Sequence, residues 1–257
     1  MIYDLLLEYR DYLMKSYSSA TAETYYKRLC RLFEGQHAAD TVKRLDVDLV
    51  LEKLANIRHK NYFSQAKNAF RHFCEFKDIK LSAGALENIQ ALGEKTKKKY
   101  RKLKAVDYNQ VDSKIKHIRN NKLKLGFQAI VATGLRVSEL AQLAPDDCTI
   151  TADAITFKFT GKGRQDGVVV IQESECPKLY NRLKDLIEST PVDKKVFYSA
   201  GYLQSKAKEL GFACHDLRRA FAKLEYQKCR SKTAVMRKMR HSSVKNTNIY
   251  LKSKVNI

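Results

Sequence analysis

The chain has 257 residues, of which 44% are hydrophobic and 30% are charged, so it can form one large domain or two modest ones. Lys and Arg number 49 against 28 Asp and Glu, which gives a formal charge of +21 at pH 7. A solvated surface does not need such an excess. A large polyanion, DNA or RNA, explains it better than a membrane surface, since no basic amphipathic helix with an aromatic face is set apart.

The cysteines are scattered, with no C-x-x-C pair and no Cys/His cluster at zinc-ligand spacing. The six are Cys30, Cys74, Cys148, Cys176, Cys214 and Cys229. We interpret them as free thiols in a reducing cytoplasm. The first residues lack the basic and apolar regions of a signal peptide, and no apolar run approaches the roughly 20 residues of a transmembrane helix. We therefore expect a cytoplasmic, chromosome-associated protein.

Apolar residues at helical spacing predict four amphipathic helices in the first third of the chain. They are expected over residues 2–15, from the capping residues 18–21 to Gly35, from Asp46 or Asp48 to Ile57, and over residues 62–76. Short connections indicate a small helical bundle, which we place at residues 1–93. Its basic residues could contact nucleic acid, although an outward, solvated face is the simpler explanation for each. They are Lys27, Arg28, Arg31, Lys60, Lys67 and Arg71.

Residues 94–104 are dense in Lys and Arg and poor in apolar side chains. Such a run cannot pack into a core and extends through its own charge repulsion. We interpret it as an interdomain linker that follows DNA phosphates; a nuclear-localisation-like or merely disordered run is the alternative. The residues expected to contact DNA here are Lys97, Lys98, Lys99, Arg101 and Lys102.

Residues 105–257 are predicted to form a second domain with helices and a hairpin. Helices are expected after Asp107 and over residues 122–133, 137–143, 178–187, 203–210, 215–225 and 232–239. Two strand-like segments, 154–159 and 167–171, flank a glycine-rich basic tip and predict a β-hairpin. The expected fold class is therefore mainly α with a small β-sheet (α+β), behind an N-terminal helical bundle.

His215 and Arg218 lie three residues apart, so a helix places them on one face, about one turn apart. Leu217, Ala220 and Phe221 can anchor that helix in a core. A guanidinium fork beside a titratable imidazole suits a phosphate whose charge changes during a reaction. On its own, such a pair is more often a solvated part of a basic helix.

Three further segments carry candidate groups. Arg136 follows a glycine break and can be oriented by Glu139, or can simply form a structural ion pair with it. Lys162 lies between two glycines on the hairpin tip, where it can donate a proton to a leaving oxygen or remain an exposed lysine. Tyr250 comes nine residues after His241. Its phenolate can attack phosphorus, although such tyrosines usually serve as packing residues.

Taken together, these segments resemble the signature sequences of the tyrosine recombinases, the lambda-integrase family. Residues 133–140 (TGLRVSEL) are similar to the first arginine segment, and residues 160–163 (TGKG) to the hairpin lysine segment. Residues 215–219 (HDLRR) and the pair of His241 and Tyr250 are similar to the two later segments. The four matches occur in family order and cover the second domain, and the bundle matches the family's core-binding domain in size and place.

The resemblance implies a site-specific DNA recombinase that cleaves and rejoins DNA through a 3′-phosphotyrosine and exchanges strands through a Holliday junction. Tyr250 is then the nucleophile, and Arg136 and Arg218 hold the non-bridging phosphate oxygens. Lys162 is the general acid for the 5′ oxygen.

Further expectations follow from the same resemblance. His215 and His241 assist proton transfer and phosphate binding, and Arg164 and Arg219 are expected to contact DNA. No metal or other cofactor is implied, since the cations are side chains and the phosphotyrosine conserves the bond energy. The expected assembly is a homotetramer on double-stranded DNA target sites, alone or with an accessory or partner recombinase.

Two features depart from the family pattern. Arg240 precedes His241, where the family commonly has Gly. The tail after Tyr250 comprises residues 251–257, so subunit exchange must be short or made by another element. Two other functions share many of these residues. One is a type IB topoisomerase-like nicking–closing enzyme, against which the small bundle argues. The other is a catalytically inactive DNA-binding relative, against which the six competent residues argue.

Overall fold

The computed structural model describes residues 2–34, 46–96, 105–161, 165–253 and 255–256. They fall into two compact units, one within residues 1–101 and the other within residues 102–257. None of the helices in these ranges is long and apolar enough to span a membrane. The predicted class, mainly α with a small β-sheet, is confirmed.

The described part of the first unit is helical. Its helices are α1 (Ile2–Ser16), α2 (Ser19–Phe33), α3 (Val47–Ala55), α4 (Lys60–Phe76) and α5 (Ala83–Lys95). The side chains of Ser18, Asp46 and Ser82 accept hydrogen bonds from backbone N–H groups in the first turns of α2, α3 and α5. Aromatic residues contribute to the core, where the buried Phe33 packs edge-on against Phe70 and Phe73.

Helix α5 was not predicted from the sequence. Its amphipathic pattern is weak, because the helix buries only Ala85 and Ile89 and leaves Leu86 exposed. The helix continues through Lys95, so Glu94 and Lys95 end a helix rather than begin an extended linker. The basic residues predicted to follow DNA phosphates, Lys97, Lys98, Lys99, Arg101 and Lys102, lie outside the described residues.

The second unit combines short strands with helices. Its strands are β1 (Val106–Asp107), β2 (Cys148–Ile150), β3 (Ala154–Thr160), β4 (Asp166–Gln172) and β5 (Val255–Asn256). Its helices are α6 (Tyr108–Lys116), α7 (Asn121–Thr133), α8 (Val137–Leu140), α9 (Pro177–Glu188), α10 (Ala200–Glu209), α11 (Cys214–Cys229), α12 (Lys232–Met239) and α13 (Val244–Leu251). A 3₁₀ turn at Pro145–Asp147 leads into β2.

The predicted hairpin is confirmed as β3 and β4. The antiparallel sheet has the order β2-β3-β4, with Phe157 opposite both Cys148 and Val169. Ile155, Phe157 and Phe159 point into the core at alternate positions, as the period of a strand requires. The sequence did not predict the parallel pair of β1 and β5, in which Val106 lies opposite Val255, nor helix α13.

Gly134 ends helix α7 with φ of 65°, in the left-handed region. A Cβ atom at this position would lie 2.4 Å from Cδ1 of Phe221 on α11. A glycine therefore allows α7 and α11 to approach closely, and the chain turns there toward Arg136.

Gly134→Ala is expected to lower the free energy of unfolding by about 2–4 kcal/mol, because alanine adds left-handed strain and a clash with a buried ring. Urea unfolding of the purified chain measures it. Gly201→Ala on α10 is the matched control, since a Cβ there meets nothing within 4 Å. It should stabilise by about 0.5–1 kcal/mol. Equal unfolding midpoints for the two variants would contradict the close approach.

Candidate active site

Arg218 is the centre of the candidate site. Its side chain is 1% exposed, although it carries a charge. Nη1 donates to the carbonyl oxygen of Gly134, and Nη2 donates to that of Met239 at 2.6 Å. Nε has no hydrogen-bond partner among the described residues. Arg218 therefore ties the ends of α7 and α12 to α11 while one donor stays free.

Burial is the main cause that lowers the pKa of Arg218, to about 10, and the charge of Arg136 adds to it. Tyr250 acts in the opposite direction through its charge and a hydrogen bond. The guanidinium is still protonated at neutral pH. The described part of the chain thus holds a buried cation that pairs with no carboxylate.

Tyr250 lies on α13 between the two histidines. Its Oη shares a hydrogen bond of 2.7 Å with Nε2 of His215, and the two rings meet edge-on at 5.1 Å. The ring of His241 also contacts Tyr250, with the two ring centres 4.6 Å apart. Nδ1 of His241 is 3.0 Å from Oγ1 of Thr247, which is fully buried. The structure therefore brings His215, His241 and Tyr250 together, as predicted.

Both histidines have lowered pKa values in this environment. His215 is open to solvent on one side, but burial of the rest of its ring and the charges of Arg219 and Arg218 lower its pKa to about 4. Burial and the charges of Arg218 and Arg136 lower the pKa of His241 to about 4 as well. Both imidazoles are therefore neutral at pH 7 and can accept a proton.

Arg136 caps helix α8 and is held by Glu139. The backbone N–H of Arg136 donates to Oε2 of Glu139 at 2.8 Å, and its guanidinium pairs with Oε1. Glu139 is 3% exposed, whereas Arg136 is 33% exposed. Burial alone raises the pKa of Glu139, but the bonds from Arg136 and the charges of Arg136 and Arg240 outweigh it, so the pKa lies below its usual value.

The ion pair suggested as an alternative for Arg136 is thus real, but it does not remove the arginine from the site. Arg136, Ser138, Gln204, His215 and Arg218 line one open cleft. Glu139 fixes the direction of Arg136 while the exposed part of the guanidinium faces this cleft. Structural pairing and a role at the site are therefore compatible.

Arg240, the residue that departs from the family pattern, also reaches Glu139. Its Nη2 donates to Oε2 of Glu139 at 3.3 Å, and its guanidinium lies 4.7 Å from the centre of the Phe159 ring. The sequence singled out Arg240 only as a departure, and it missed Thr247 altogether. A polar residue in the first turn of the helix that follows His241 was the available signal for Thr247.

The structure does not place every predicted residue. Lys162 and Arg164 lie outside the described residues, although the N–H of Gly161 donates to the carbonyl of Gln165 at 2.7 Å and closes the ends of that loop. Arg219 is 15% exposed and pairs with Asp216 at 2.6 Å, so it is less open to DNA than predicted. In the described ranges, no group of three or more His, Cys, Asp or Glu side chains is arranged to hold a metal.

Residues 102–256 match the family model described as phage integrase family, and the chain belongs to that family. It is similar to tyrosine recombinase XerH of Campylobacter jejuni subsp. jejuni serotype O:2, with 26% identity over 269 residues, 88% of this chain and 73% of the relative. The predicted resemblance to the tyrosine recombinases is thereby confirmed.

Two solved structures have the same fold. A XerH site-specific recombinase in a pre-cleavage complex with difH matches with a TM-score of 0.62 and 20% identity, over 89% of this chain and 74% of that one. A lambda integrase dimer bound to a COC′ core site matches with a TM-score of 0.65 and 15% identity, over 97% and 94%. The chain is therefore a DNA-cleaving and DNA-rejoining enzyme of the tyrosine recombinase class, and neither a topoisomerase nor an inactive relative is favoured.

Proposed function

We propose that this recombinase cleaves DNA at the site built around Arg218, with Tyr250 as the nucleophile. The observation that carries the proposal is the buried Arg218 guanidinium beside the tyrosine, with no carboxylate partner in the ranges described. A buried, unpaired cation is unfavourable in an isolated protein. A substrate phosphate in the cleft that Arg218 lines supplies the missing negative charge.

The proposed reaction conserves bonds and protons. Oη of Tyr250 bonds to phosphorus while the bond from phosphorus to the 5′ oxygen breaks. The phenolic proton passes to His215, whose Nε2 is 2.7 Å away, and Lys162 gives a proton to the leaving oxygen. The products are a 3′-phosphotyrosine and a 5′-hydroxyl. Attack by a 5′-hydroxyl of the second duplex reverses the step and joins the exchanged strands.

The other groups stabilise the charge that develops on phosphorus. Arg136 and Arg218 donate to the non-bridging oxygens, and the Glu139 carboxylate keeps Arg136 in position. His241, oriented by Thr247, contributes to phosphate binding. The contacts among these residues support the assignment, because each group is held by a hydrogen bond and Oη of Tyr250 lies 2.7 Å from Nε2 of His215.

We further propose that the enzyme acts in the cytoplasm as a homotetramer on two double-stranded DNA sites, alone or with an accessory or partner recombinase, through a Holliday junction. The charge of +21 supports strongly salt-dependent DNA binding. In the bundle, the guanidinium of the half-buried Arg28 lies 3.9 Å from the centre of the Tyr62 ring. The exposed Arg31 donates to the Tyr62 hydroxyl at 3.1 Å. This aromatic and cationic patch is suited to a nucleic acid surface.

The test is a trapping assay with nicked duplexes, which release a short 5′ fragment on cleavage and so prevent rejoining. Duplexes from the DNA beside the gene and from a random library are incubated with the enzyme and resolved under denaturing conditions. A denaturant-stable adduct supports the proposal, and sequencing the trapped DNA identifies the site. Salt-sensitive binding with no adduct, even when host extract is added, would contradict it.

Lys162→Ala is expected to slow adduct formation about 10²–10⁴-fold, because the 5′ oxygen then leaves without a general acid. A duplex with a 5′-bridging phosphorothiolate has a leaving group that needs no proton, and cleavage of it should proceed at nearly the wild-type rate. Gel quantification of both duplexes measures the effect. If the sulfur-containing duplex is cleaved as slowly as the ordinary one, Lys162 is not the acid.

The pH dependence reports the histidines. Since the pKa of His215 and that of His241 lie at about 4, both stay neutral as the pH falls from 8 to about 5. At subsaturating DNA, where the rate reports the free enzyme, the rate of adduct formation should not fall on the acid side until the pH approaches 4. At saturating DNA the phosphate charge favours protonation, so the fall should move to higher pH. A fall near 6.5 for the free enzyme would indicate ordinary histidines. His59→Gln, on an exposed histidine before α4, is the control.

A further inference from the structure

Arg240 has an unusual backbone for its residue type. It ends helix α12 with φ of 53° and ψ of 45°, in the left-handed region that favours glycine. Arg230 ends α11 in nearly the same conformation, with φ of 51° and ψ of 15°, but its side chain is exposed. The strain at Arg240 therefore persists where a glycine would remove it, and the side chain must be considered for a compensating role.

The side chain of Arg240 joins two parts of the site. It is 21% exposed, donates to the buried Glu139 carboxylate at 3.3 Å, and lies 4.7 Å over the ring of Phe159 at the end of strand β3. A Cβ on Gly161 would lie 3.4 Å from Oε1 of the same carboxylate. Arg240 thus contacts both the group that orients Arg136 and the base of the hairpin.

We propose that Arg240 is a positioning residue, which holds Glu139 and the end of β3 and through them sets Arg136 against the phosphate; the inference rests on the function proposed above. The electrostatics agree with this role. One carboxylate is shared by two guanidinium groups, so the cluster keeps a net positive charge. Arg136 is then only partly neutralised by Glu139 and retains its attraction for a phosphate.

A direct phosphate contact from Arg240 is the competing role, and it makes a different prediction. A residue that binds a phosphate contributes to DNA affinity and to its salt dependence. Removing it lowers the slope of log affinity against log salt concentration by about one. A positioning residue changes the rate of cleavage at saturating DNA and leaves both binding quantities unchanged. The stacking on Phe159 and the bond to Glu139 turn the guanidinium toward protein groups and favour positioning.

The experiment compares Arg240→Ala with Arg240→Gly. Both remove the guanidinium, but only glycine relieves the left-handed strain. We expect both to slow adduct formation about tenfold at saturating nicked duplex, with unchanged DNA affinity and salt slope. Arg240→Gly should nevertheless melt about 2 °C above Arg240→Ala. Arg240→Lys keeps the charge but not the planar fork and should recover part of the rate. Arg230→Gly, with the same backbone relief far from these contacts, should cleave at the wild-type rate.

A double-mutant cycle with Glu139 tests whether Arg240 acts through that carboxylate. In Glu139→Gln, the carboxylate that Arg240 holds is gone, so adding Arg240→Ala should slow cleavage far less than it does alone. Full additivity of the two changes, wild-type cleavage by Arg240→Gly, or a lower salt slope would each overturn the positioning role. Failure of the proposed function is distinguishable, because the wild-type enzyme would then form no adduct in the same assay.

Discussion

Tyr250→Phe is expected to abolish the covalent protein–DNA adduct while DNA binding remains. The substitution removes the only atom of this side chain that can bond to phosphorus. The ring remains to pack between His215 and His241, at the 5.1 and 4.6 Å separations of the native rings. The lost hydrogen bond to His215 should cost no more than about 1 kcal/mol of stability. Trapping on the nicked duplex measures the chemistry, and a mobility-shift titration measures binding.

Tyr226→Phe is the matched control for that result. Tyr226 lies on α11 and packs against the same small apolar cluster as Tyr250, which includes Phe221, Val235 and Met239. A loss of one hydroxyl there should leave adduct formation unchanged. Undiminished cleavage by Tyr250→Phe would move the nucleophile to another residue.

Arg218→Lys is expected to reduce the rate of adduct formation about 10²–10³-fold, the usual effect of removing one donor that stabilises a developing oxyanion. The guanidinium bonds Gly134 and Met239 with its two terminal nitrogens, and its buried Nε has no partner among the described residues. A lysine ammonium is a single point and cannot span all three directions. The substitution should also lower the free energy of unfolding by about 2–3 kcal/mol, because a charged donor is lost from a buried carbonyl.

Single-turnover trapping at saturating duplex and urea unfolding measure the two effects of Arg218→Lys separately. Arg182→Lys on α9 serves as a control, since its guanidinium bonds Asn121 away from the candidate site. Wild-type cleavage by Arg218→Lys would show that the fork of the guanidinium is not needed, and the proposed phosphate site would then be wrong.

Local patterns were sufficient for most of the fold. The helical period predicted α1, α2, α4, α7 and α11, because apolar residues recur on one face of each. The hairpin of β3 and β4 was predicted because a glycine-rich turn separates two strand-like segments. Helices α5 and α13 and the β1–β5 pair were missed. Helix α5 buries only two side chains, and the two-residue strands contain too few residues for any period.

The sequence by itself determined which chemical groups this protein has and in what order: the basic excess, the four signature segments and the tyrosine that follows them. Only the tertiary structure decided the environments of those groups. Arg218 meets the carbonyl of Gly134 across 84 positions of the chain, and Arg240 meets Glu139 across 101. Spacing along a helix places His215 beside Arg218, but burial, the lowered pKa values of the histidines and a carboxylate shared by two arginines arise from packing between distant segments. Periodicity carries no information about such long-range contacts, because it describes one element at a time.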